Sequence, residues 1–229
     1  MIRMIGSSFY NTLIDEEGAI PTSTMFLLDS YKKKGSFFSV ITNRGFEEVL
    51  YYNESFPFID YILAYNGSVI YDVNHQVILY KKALSKKVIE EVKEAYKNYP
   101  ISYYSNIGKT DYETEDIYKI EVKISKKECK SIKKISSCHI SILKIENELY
   151  LEISPNTNYE AFRYLIEKLK ISSNNILLVI GNESDEDLLK YLNTYVVSNA
   201  PISLKRRAKN KTKSNTSKGF ENVLKKWKN

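Results

Sequence analysis

The sequence SFFSVITNR, residues 36–44, carries the clearest structural signal in the chain. Its first seven residues are uncharged and mostly apolar, which is the pattern of a parallel β-strand buried on both faces. The run NILLVI at residues 175–180 has the same character. Polar residues follow both runs directly, Asn43 and Arg44 after the first and GNESDED, residues 181–187, after the second. In an open parallel sheet, ligands bind beyond the carboxyl ends of the strands, so we expect the functional site in these loops.

Helices and further strands alternate on either side of these two runs. The helix expected at residues 22–34 has Gly35 as its stop signal. The other core elements predicted are strands at residues 2–6, 61–64, 69–71, 77–80 and 194–198, and helices at residues 46–52, 158–170, 186–192 and 219–227. This alternation favours right-handed βαβ units and an α/β sheet.

The middle of the chain has a different order of elements. A Lys/Glu-rich helix at residues 84–98 and a Lys-rich helix at residues 126–135 each precede two predicted strands. The order α-β-β-α-β-β is typical of a mostly antiparallel α+β unit. We therefore predict an α/β protein with a Rossmann-like parallel-sheet core of residues 1–80 and 153–229, interrupted by an inserted α+β cap domain of residues 82–150.

The composition is that of an ordinary globular protein. The 229 residues are 43% hydrophobic and 27% charged, which excludes wholesale disorder. The two cysteines, Cys129 and Cys138, exclude a disulfide scaffold and fit a reducing compartment. Because the chain has no apolar run of about 18 residues and no signal-peptide pattern at its start, we expect a cytoplasmic protein that does not enter a membrane.

The excess positive charge is concentrated at the end of the sequence. The net charge is +6, and residues 204–229 hold ten basic residues and one acid, a pattern that invites a nucleic-acid interpretation. A short strand expected near residues 209–213 and the helix at residues 219–227 would instead place these charges on the outer face of folded elements. We therefore do not expect nucleic acid as the partner.

Seven short motifs, in this order, resemble the haloacid dehalogenase superfamily, and among its members the Cof-like sugar-phosphate phosphatases with a large α/β cap. The motifs are ITNR at 41–44, AYNGSVIYD at 64–72, DIYKIEV at 116–122, LEISP at 151–155, IGNESDEDLL at 180–189, SNAP at 198–201 and TKSNTSKGFENVLKKW at 212–227. The resemblance implies an aspartate nucleophile, a second aspartate as general acid/base, Thr/Ser and Lys contacts to the phosphoryl group, and Mg²⁺ held by carboxylates.

The residues at the family's reacting positions differ from that pattern. Ser8 stands at the nucleophile position and Tyr10 at the acid/base position. Asn11 replaces the glycine that allows close approach of the phosphate. Loss of an essential nucleophile typically lowers a rate by roughly 10⁴–10⁶. Tyr10 with an ordinary pKa near 10 is a poor acid/base at neutral pH.

The binding positions are partly retained. The resemblance assigns phosphate binding to Thr42, Asn43 and Arg44, with Asn158 in place of the family's lysine. In the acidic loop Asn182 replaces the main metal-binding aspartate and Asp185 remains, so we expect Mg²⁺ to bind weakly or not at all. The acidic residues of this loop would equally well stabilise a helix N-terminus, and both interpretations stay open.

The expected function is therefore that of a catalytically degenerate member, a pseudophosphatase that binds a phosphorylated small molecule or a protein partner. The alternative is a weak or altered Mg²⁺-dependent phosphohydrolase acting on a sugar phosphate. Ser8 could serve as a nucleophile only with a base, and no histidine lies in the motif loops. Cys129, Cys138 and His139 fit no standard zinc spacing, so we expect structural cysteines and a surface histidine.

Overall fold

The computed structural model describes residues 1–14, 17–55, 57–105, 108–110, 116–130 and 132–228. Thirteen strands form two sheets in this part of the chain. The strands are β1 Met4–Ser8, β2 Phe37–Ile41, β3 Tyr61–Ala64, β4 Val69–Asp72, β5 Val77–Lys81, β6 Ile101–Ser105, β7 Gly108–Thr110, β8 Lys119–Ile124, β9 His139–Ile145, β10 Glu148–Ser154, β11 Ile176–Ile180, β12 Thr194–Val196 and β13 Asn210–Lys211. The helices are α1 Thr22–Lys32, α2 Phe46–Ser55, α3 Lys86–Ala95, α4 Asn158–Lys168, α5 Ile202–Arg207 and α6 Gly219–Lys226.

The larger sheet has eight strands in the order β13-β12-β11-β1-β2-β3-β4-β5. The six strands from β13 to β3 run parallel, and β4 and β5 are antiparallel additions at one edge. All five residues of β1 and of β11 are buried, because helices cover both faces of the sheet. Phe220 of α6 packs near Phe38 on one face, and Phe162 of α4 lies against Gly6 on the other.

The smaller sheet has five antiparallel strands in the order β7-β6-β8-β10-β9. One face packs against α3, whose buried residues Val88, Ile89 and Val92 join a second hydrophobic cluster with residues of β8 and β10. The side chain of Ser85 accepts the Val88 N–H and caps this helix. We call β6–β10 together with α3 the cap unit.

The predicted fold class is confirmed: a Rossmann-like parallel-sheet core carries an inserted α+β unit. The domain limits drawn from the sequence stay a prediction. The basic residues at the end of the chain lie on, between and directly after α5, β13 and α6. None of the helices in the described ranges combines the length and apolar character needed to cross a bilayer.

Two helix predictions are wrong. In the described part of residues 126–135, helical structure is limited to a short 3-10 helix, Glu128–Lys130. After it the chain packs against the end of α3 instead of continuing as a helix: the Lys133 N–H donates to the Tyr96 hydroxyl, and Ile135 is buried in the cap cluster. The helix expected at residues 186–192 is a 3-10 helix over Glu183–Lys190, part of the loop that follows β11.

Candidate functional site

A cleft of about 1260 Å³ lies between the carboxyl ends of the core strands and the cap unit. Its core side is formed by the loops after β1, β2, β3 and β11, the strand ends that the sequence singles out. The residues that line it include Tyr10, Asn11, Asn43, Arg44, Gly45, Glu47, Glu48, Tyr65, Asn182, Glu183 and Ser184 from the core and Tyr104, Lys109, Lys119, Glu121, Lys144, Glu146 and Glu152 from the cap unit. The cleft is large enough for a small-molecule ligand.

Ser8, at the nucleophile position, is enclosed beneath the cleft floor. Its hydroxyl donates a 2.5 Å hydrogen bond to Oδ2 of Asp185 and accepts the Gly181 N–H at 3.1 Å. The amide of Asn158 donates to the other Asp185 oxygen at 2.7 Å. Ser8, Asp185 and Asn158 are each at most 1% exposed, and none of the three lines the cleft. The side chains at the positions that the resemblance assigns to the nucleophile, to a metal ligand and to the phosphate-binding lysine therefore bond to one another.

The Asp185 carboxyl is unusually hard to ionise. Burial raises its pKa to about 7, although hydrogen bonds from Ser8, Asn158 and Asn182 favour the charged form. The negative charge of Glu152 raises the pKa further. Desolvation outweighs the hydrogen bonds, so Asp185 is a group whose charge state changes near neutral pH.

Tyr10, at the acid/base position, is engaged on the cleft wall. Its hydroxyl donates to Oε1 of Glu48, and that same oxygen accepts from Arg44 Nη1 at 2.6 Å. The Arg44 guanidinium also lies 4.5 Å from the centre of the Tyr10 ring. Burial and the hydrogen bond to Glu48 raise the Tyr10 pKa well above its ordinary value. A phenol with a raised pKa does not exchange protons readily at neutral pH.

The four predicted phosphate-binding residues are separated by the fold. Asn43 and Arg44 line the cleft, whereas Thr42 is 2% exposed and its hydroxyl accepts the Arg44 N–H. Asn158 is directed at Asp185 instead of the cleft. Asn43 donates its amide to Glu152, so both residues that reach the cleft have carboxylate partners. The structure thus brings two of the four to the cleft and leaves neither of them free.

The residues at the expected Mg²⁺ position do not fit the ion. Asn182 accepts a 3.0 Å hydrogen bond from Asn11 and is uncharged, and the single carboxylate, Asp185, has both oxygens occupied by Ser8 and Asn158. Mg²⁺ demands near-octahedral oxygen coordination and is usually held through one or two carboxylates with oxygens free to bind it. Among the described residues, no three His, Cys, Asp or Glu side chains cluster in a way that could hold a metal ion.

A buried polar network between cap and core was not expected from the sequence. Lys119 of β8 and Glu152 of β10 are each 1% exposed, with Lys119 Nζ 2.6 Å from Glu121 Oε1 and 3.5 Å from Glu152 Oε1. Lys119 also donates to the Asn43 carbonyl at 2.7 Å, and Glu152 accepts from Asn43. The sequence does carry one indication of this network. In DIYKIEV and LEISP, charged residues stand within predicted strands whose neighbouring residues are largely apolar.

The Tyr65-Asn66-Gly67 turn after β3 delivers an aromatic ring to the cleft. All three residues have positive φ, 51°, 55° and 85°, and such values are rare for tyrosine. The Tyr65 N–H donates to the Arg44 carbonyl, and the centre of the Tyr65 ring lies 6.4 Å from that of Tyr104 and 6.3 Å from that of Tyr118. Strained backbone held in place by surrounding contacts is concentrated at functional sites in proteins.

Cys129, Cys138 and His139 lie in the cap unit, and none of them lines the cleft. Both cysteines are free and pack against the cap cluster. Burial lowers the pKa of His139. The structural role of the two cysteines stays a prediction, and His139, expected at the surface, is half-buried.

Comparison with known proteins identifies the fold. The phosphatase BT1666 of Bacteroides thetaiotaomicron has a TM-score of 0.87 at 14% identity, covering 100% of this chain and 96% of that one. The subclass IIB sugar phosphatase BT4131 has a TM-score of 0.81 at 16% identity, with 99% of both chains covered. A hypothetical protein of Geobacillus kaustophilus HTA426 has a TM-score of 0.81 at 20% identity, covering 100% and 99%.

No curated protein matches the chain by sequence. The chain does match the haloacid dehalogenase-like hydrolase family over residues 11–108 and 93–224, which together span most of its length. The order of the core strands, the cap unit between them and the cleft at the strand ends agree with that match. This chain belongs to the haloacid dehalogenase-like hydrolases.

Proposed function

We propose that this chain is a non-catalytic member of its family, a pseudophosphatase whose cleft binds a small molecule or a segment of a protein partner. The observation that carries the proposal is the closed contact between Ser8 and Asp185. A nucleophile must reach the phosphorus atom of its substrate, and the Ser8 hydroxyl is buried, hydrogen-bonded and separated from the cleft.

The rest of the reaction machinery supports the same proposal. Tyr10 stands where a carboxylic acid would shuttle a proton, and its hydroxyl is held by Glu48 with a raised pKa. The Asp185 and Asn182 side chains do not fit Mg²⁺, so no step of phosphoryl transfer is assigned to a metal here. The cleft between the core and the cap unit is nevertheless present, which favours binding without turnover.

The alternative is a weak phosphohydrolase that uses Ser8 with Asp185 as its base. The specific observation in its favour is the 2.5 Å hydrogen bond, because a nucleophile and its base lie at this distance and the Asp185 pKa is about 7. For this chemistry the pair would have to become accessible from the cleft. Its enclosed position makes us prefer the non-catalytic proposal.

The test is an assay of phosphate release from p-nitrophenyl phosphate and a panel of sugar phosphates with Mg²⁺. We expect no release by the wild-type chain. The double variant Ser8→Asp/Tyr10→Asp, which supplies both carboxylates, measures whether the remaining pocket supports turnover. Wild-type release that disappears in Ser8→Ala would contradict the proposal.

A further inference from the structure

In the described part of the chain, the two sheets have four edge strands, and three of these are short or irregular. β13 has two residues and β7 has three. β5 has five, but its register against β4 shifts between Ile70 and Tyr71, and the Tyr164 hydroxyl donates to the Leu79 carbonyl at 3.4 Å. Short strands, bulges and covering side chains are means by which proteins prevent an edge from pairing with another chain.

β9, the fourth edge strand, is long and regular. All seven of its residues, His139–Ile145, pair with β10 in one unbroken register. Alternate residues of an antiparallel strand direct their N–H and C=O groups to one side, so about half of these groups point away from β10. Among the described residues, no backbone group beyond β10 hydrogen-bonds with β9, although the core loop containing Asp187 and Lys190 lies near His139. The outer edge of β9 is thus open to a further strand.

Apolar side chains line this open edge on both faces of the sheet. Ile140 and Ile142 pack against the hydrophobic cluster of the cap unit and are only partly buried. Leu143 and Ile145 both line the cleft, and they lie on the opposite face because side chains alternate along a strand. Ile145 is 47% exposed. A strand added beside β9 would remove apolar surface from water on both faces and complete the backbone hydrogen bonds.

The distribution of charge favours a second copy of this chain as the source of that strand. The cap unit is nearly neutral, because residues 84–154 include thirteen basic and twelve acidic residues. The excess positive charge of the chain lies mainly in residues 204–229, with ten basic residues and one acidic residue. Two copies with the same net charge repel each other, and this repulsion is weakest where their nearly neutral cap units meet.

The sequence of β9 also fits antiparallel pairing with itself. Two copies related by a two-fold axis present the same surface to each other. With the axis at Ile142, this isoleucine faces its own equivalent and joins the hydrophobic clusters of the two cap units. Ser141 then faces Leu143. Lys144, the one lysine of the strand, faces Ile140 instead of the other Lys144, so two like charges, which would destabilise a cross-strand pair, do not meet.

We propose that this chain forms a two-fold symmetric dimer, in which β9 of one copy pairs antiparallel with β9 of the other about Ile142. The pairing joins two five-stranded cap sheets into one continuous sheet. Because Leu143 and Ile145 line the cleft, the strand of the second copy extends the cap side of that cleft. The dimer does not depend on the proposed function, since its contacts are the same whether or not the cleft supports turnover.

Sedimentation velocity of the wild-type chain tests whether the dimer exists. We expect the sedimentation coefficient to rise from that of a monomer to that of a dimer over protein concentrations of about 1–200 µM. A monomer throughout this range would overturn the inference.

Charge substitutions at the two-fold axis test where the contact lies. Because residue 142 faces itself, Ile142→Lys and Ile142→Glu should each raise the dimer Kd at least about tenfold. An equimolar mixture of the two variants should regain the dimer, since opposite charges then face each other. Circular dichroism establishes that both variants are folded. A dimer that persists in each variant alone, or folded variants whose mixture stays monomeric, would overturn the inference.

Ile78→Lys and Ile78→Glu are the matched controls. Ile78 is an isoleucine on the edge strand β5 of the other sheet and is 39% exposed, so both substitutions should leave the dimer unchanged. Loss of the dimer in these controls would place the contact on β5 and contradict the proposal.

Hydrogen exchange of the wild-type chain provides a test that requires no variant, and it decides the matter if the Ile142 variants do not fold. Amide hydrogens of β9 should exchange at least about tenfold more slowly at the highest protein concentration than at the lowest, because pairing protects them. Those of β5 should exchange at the same rate at both. Exchange of β9 that is independent of concentration would overturn the inference.

Discussion

The Ser8 hydroxyl donates to the Asp185 carboxylate across 2.5 Å, joining the end of β1 to the loop after β11. These two strands are neighbours in the parallel sheet, so their carboxyl ends bring the two side chains together although 177 positions separate them in sequence. Asn158, at the start of α4, occupies the other oxygen of Asp185. The place where the family resemblance puts phosphoryl transfer and metal binding is thus occupied by a self-contained hydrogen-bonded cluster.

The raised pKa of Asp185 predicts a particular pH dependence of stability. The folded-state pKa of about 7 exceeds the ordinary value of 3.8, so between these values the folded chain binds more protons at this site than the unfolded chain. The contribution of Asp185 to the free energy of unfolding must therefore fall as pH rises from about 4 to about 7.

Urea unfolding of the wild type and of Asp185→Asn at about pH 5 and about pH 8 measures this contribution. We expect the difference in free energy of unfolding between wild type and Asp185→Asn to change by about 2–3 kcal/mol between these pH values, at about 1.4 kcal/mol per pKa unit. Asp187→Asn is the control, because Asp187 is in the same loop but pairs with Lys190 and is partly exposed. An Asp185→Asn difference that is independent of pH would contradict the raised pKa.

Restoring a carboxylate at the nucleophile position should create a need for Mg²⁺. In Ser8→Asp the new side chain would face Asp185 inside a buried site, and two carboxylates in contact repel each other. We expect the variant to be less stable than wild type without Mg²⁺ and its melting temperature to rise by about 2 °C or more when Mg²⁺ is added. Wild type and the uncharged Ser8→Asn should show no rise. An equal Mg²⁺ response in wild type would mean that the native residues bind the ion.

The buried Lys119 and Glu152 should hold the cap unit against the core. Removing one partner of a buried ion pair leaves an uncompensated charge, so Lys119→Met should lower the free energy of unfolding by about 3–5 kcal/mol. Adding Glu152→Gln to Lys119→Met should recover at least about 1 kcal/mol, because the orphaned charge is removed. The exposed pair of Lys97 and Glu94 is the control, and Lys97→Met should leave the free energy of unfolding nearly unchanged. Independent, additive effects of the two buried substitutions would contradict this account.

Asn11 replaces a glycine of the family pattern and keeps the backbone that a glycine favours, with φ of 61°. Ala is strained in this conformation and Gly is not, so Asn11→Gly should be more stable than Asn11→Ala by about 1 kcal/mol. Asn222 lies inside α6, where the order should reverse because Gly lowers helix stability by about 1 kcal/mol relative to Ala. If the Ala variant were more stable than the Gly variant at both positions, the result would contradict the left-handed conformation of Asn11.

The parallel-sheet core could be predicted from local sequence because its strands are continuous apolar runs. Residues 36–42 and 175–180 can be predicted as strands without knowing which strands pair with them. The polar residues that follow them mark the edge of the sheet where the cleft lies. The positions of Ser8 and Asp185 followed from the family resemblance. Their direct bond did not, because it depends on strand register and on the way Asn158 enters α4.

The cap unit was harder to predict because its contacts are long-range. Lys119 and Glu152 were placed correctly in strands, but their shared partner Asn43 lies in a core loop, 109 positions from Glu152. The helix expected at residues 126–135 failed because hydrogen bonds to the end of α3 compete with helix formation. The local sequence pattern does not reveal contacts with distant residues that compete with helix formation.

The rate of phosphate release by wild type, divided by the rate of Ser8→Ala under the same conditions with Mg²⁺, tests the central claim most directly. Both proteins retain Asp185, Thr42 and the cleft, so the ratio isolates the Ser8 hydroxyl. With background hydrolysis included in both rates, the non-catalytic account predicts a ratio of about one, since removing a hydroxyl that performs no chemistry changes no rate. A ratio of about 10⁴ or more, the size expected for an essential nucleophile, would contradict it.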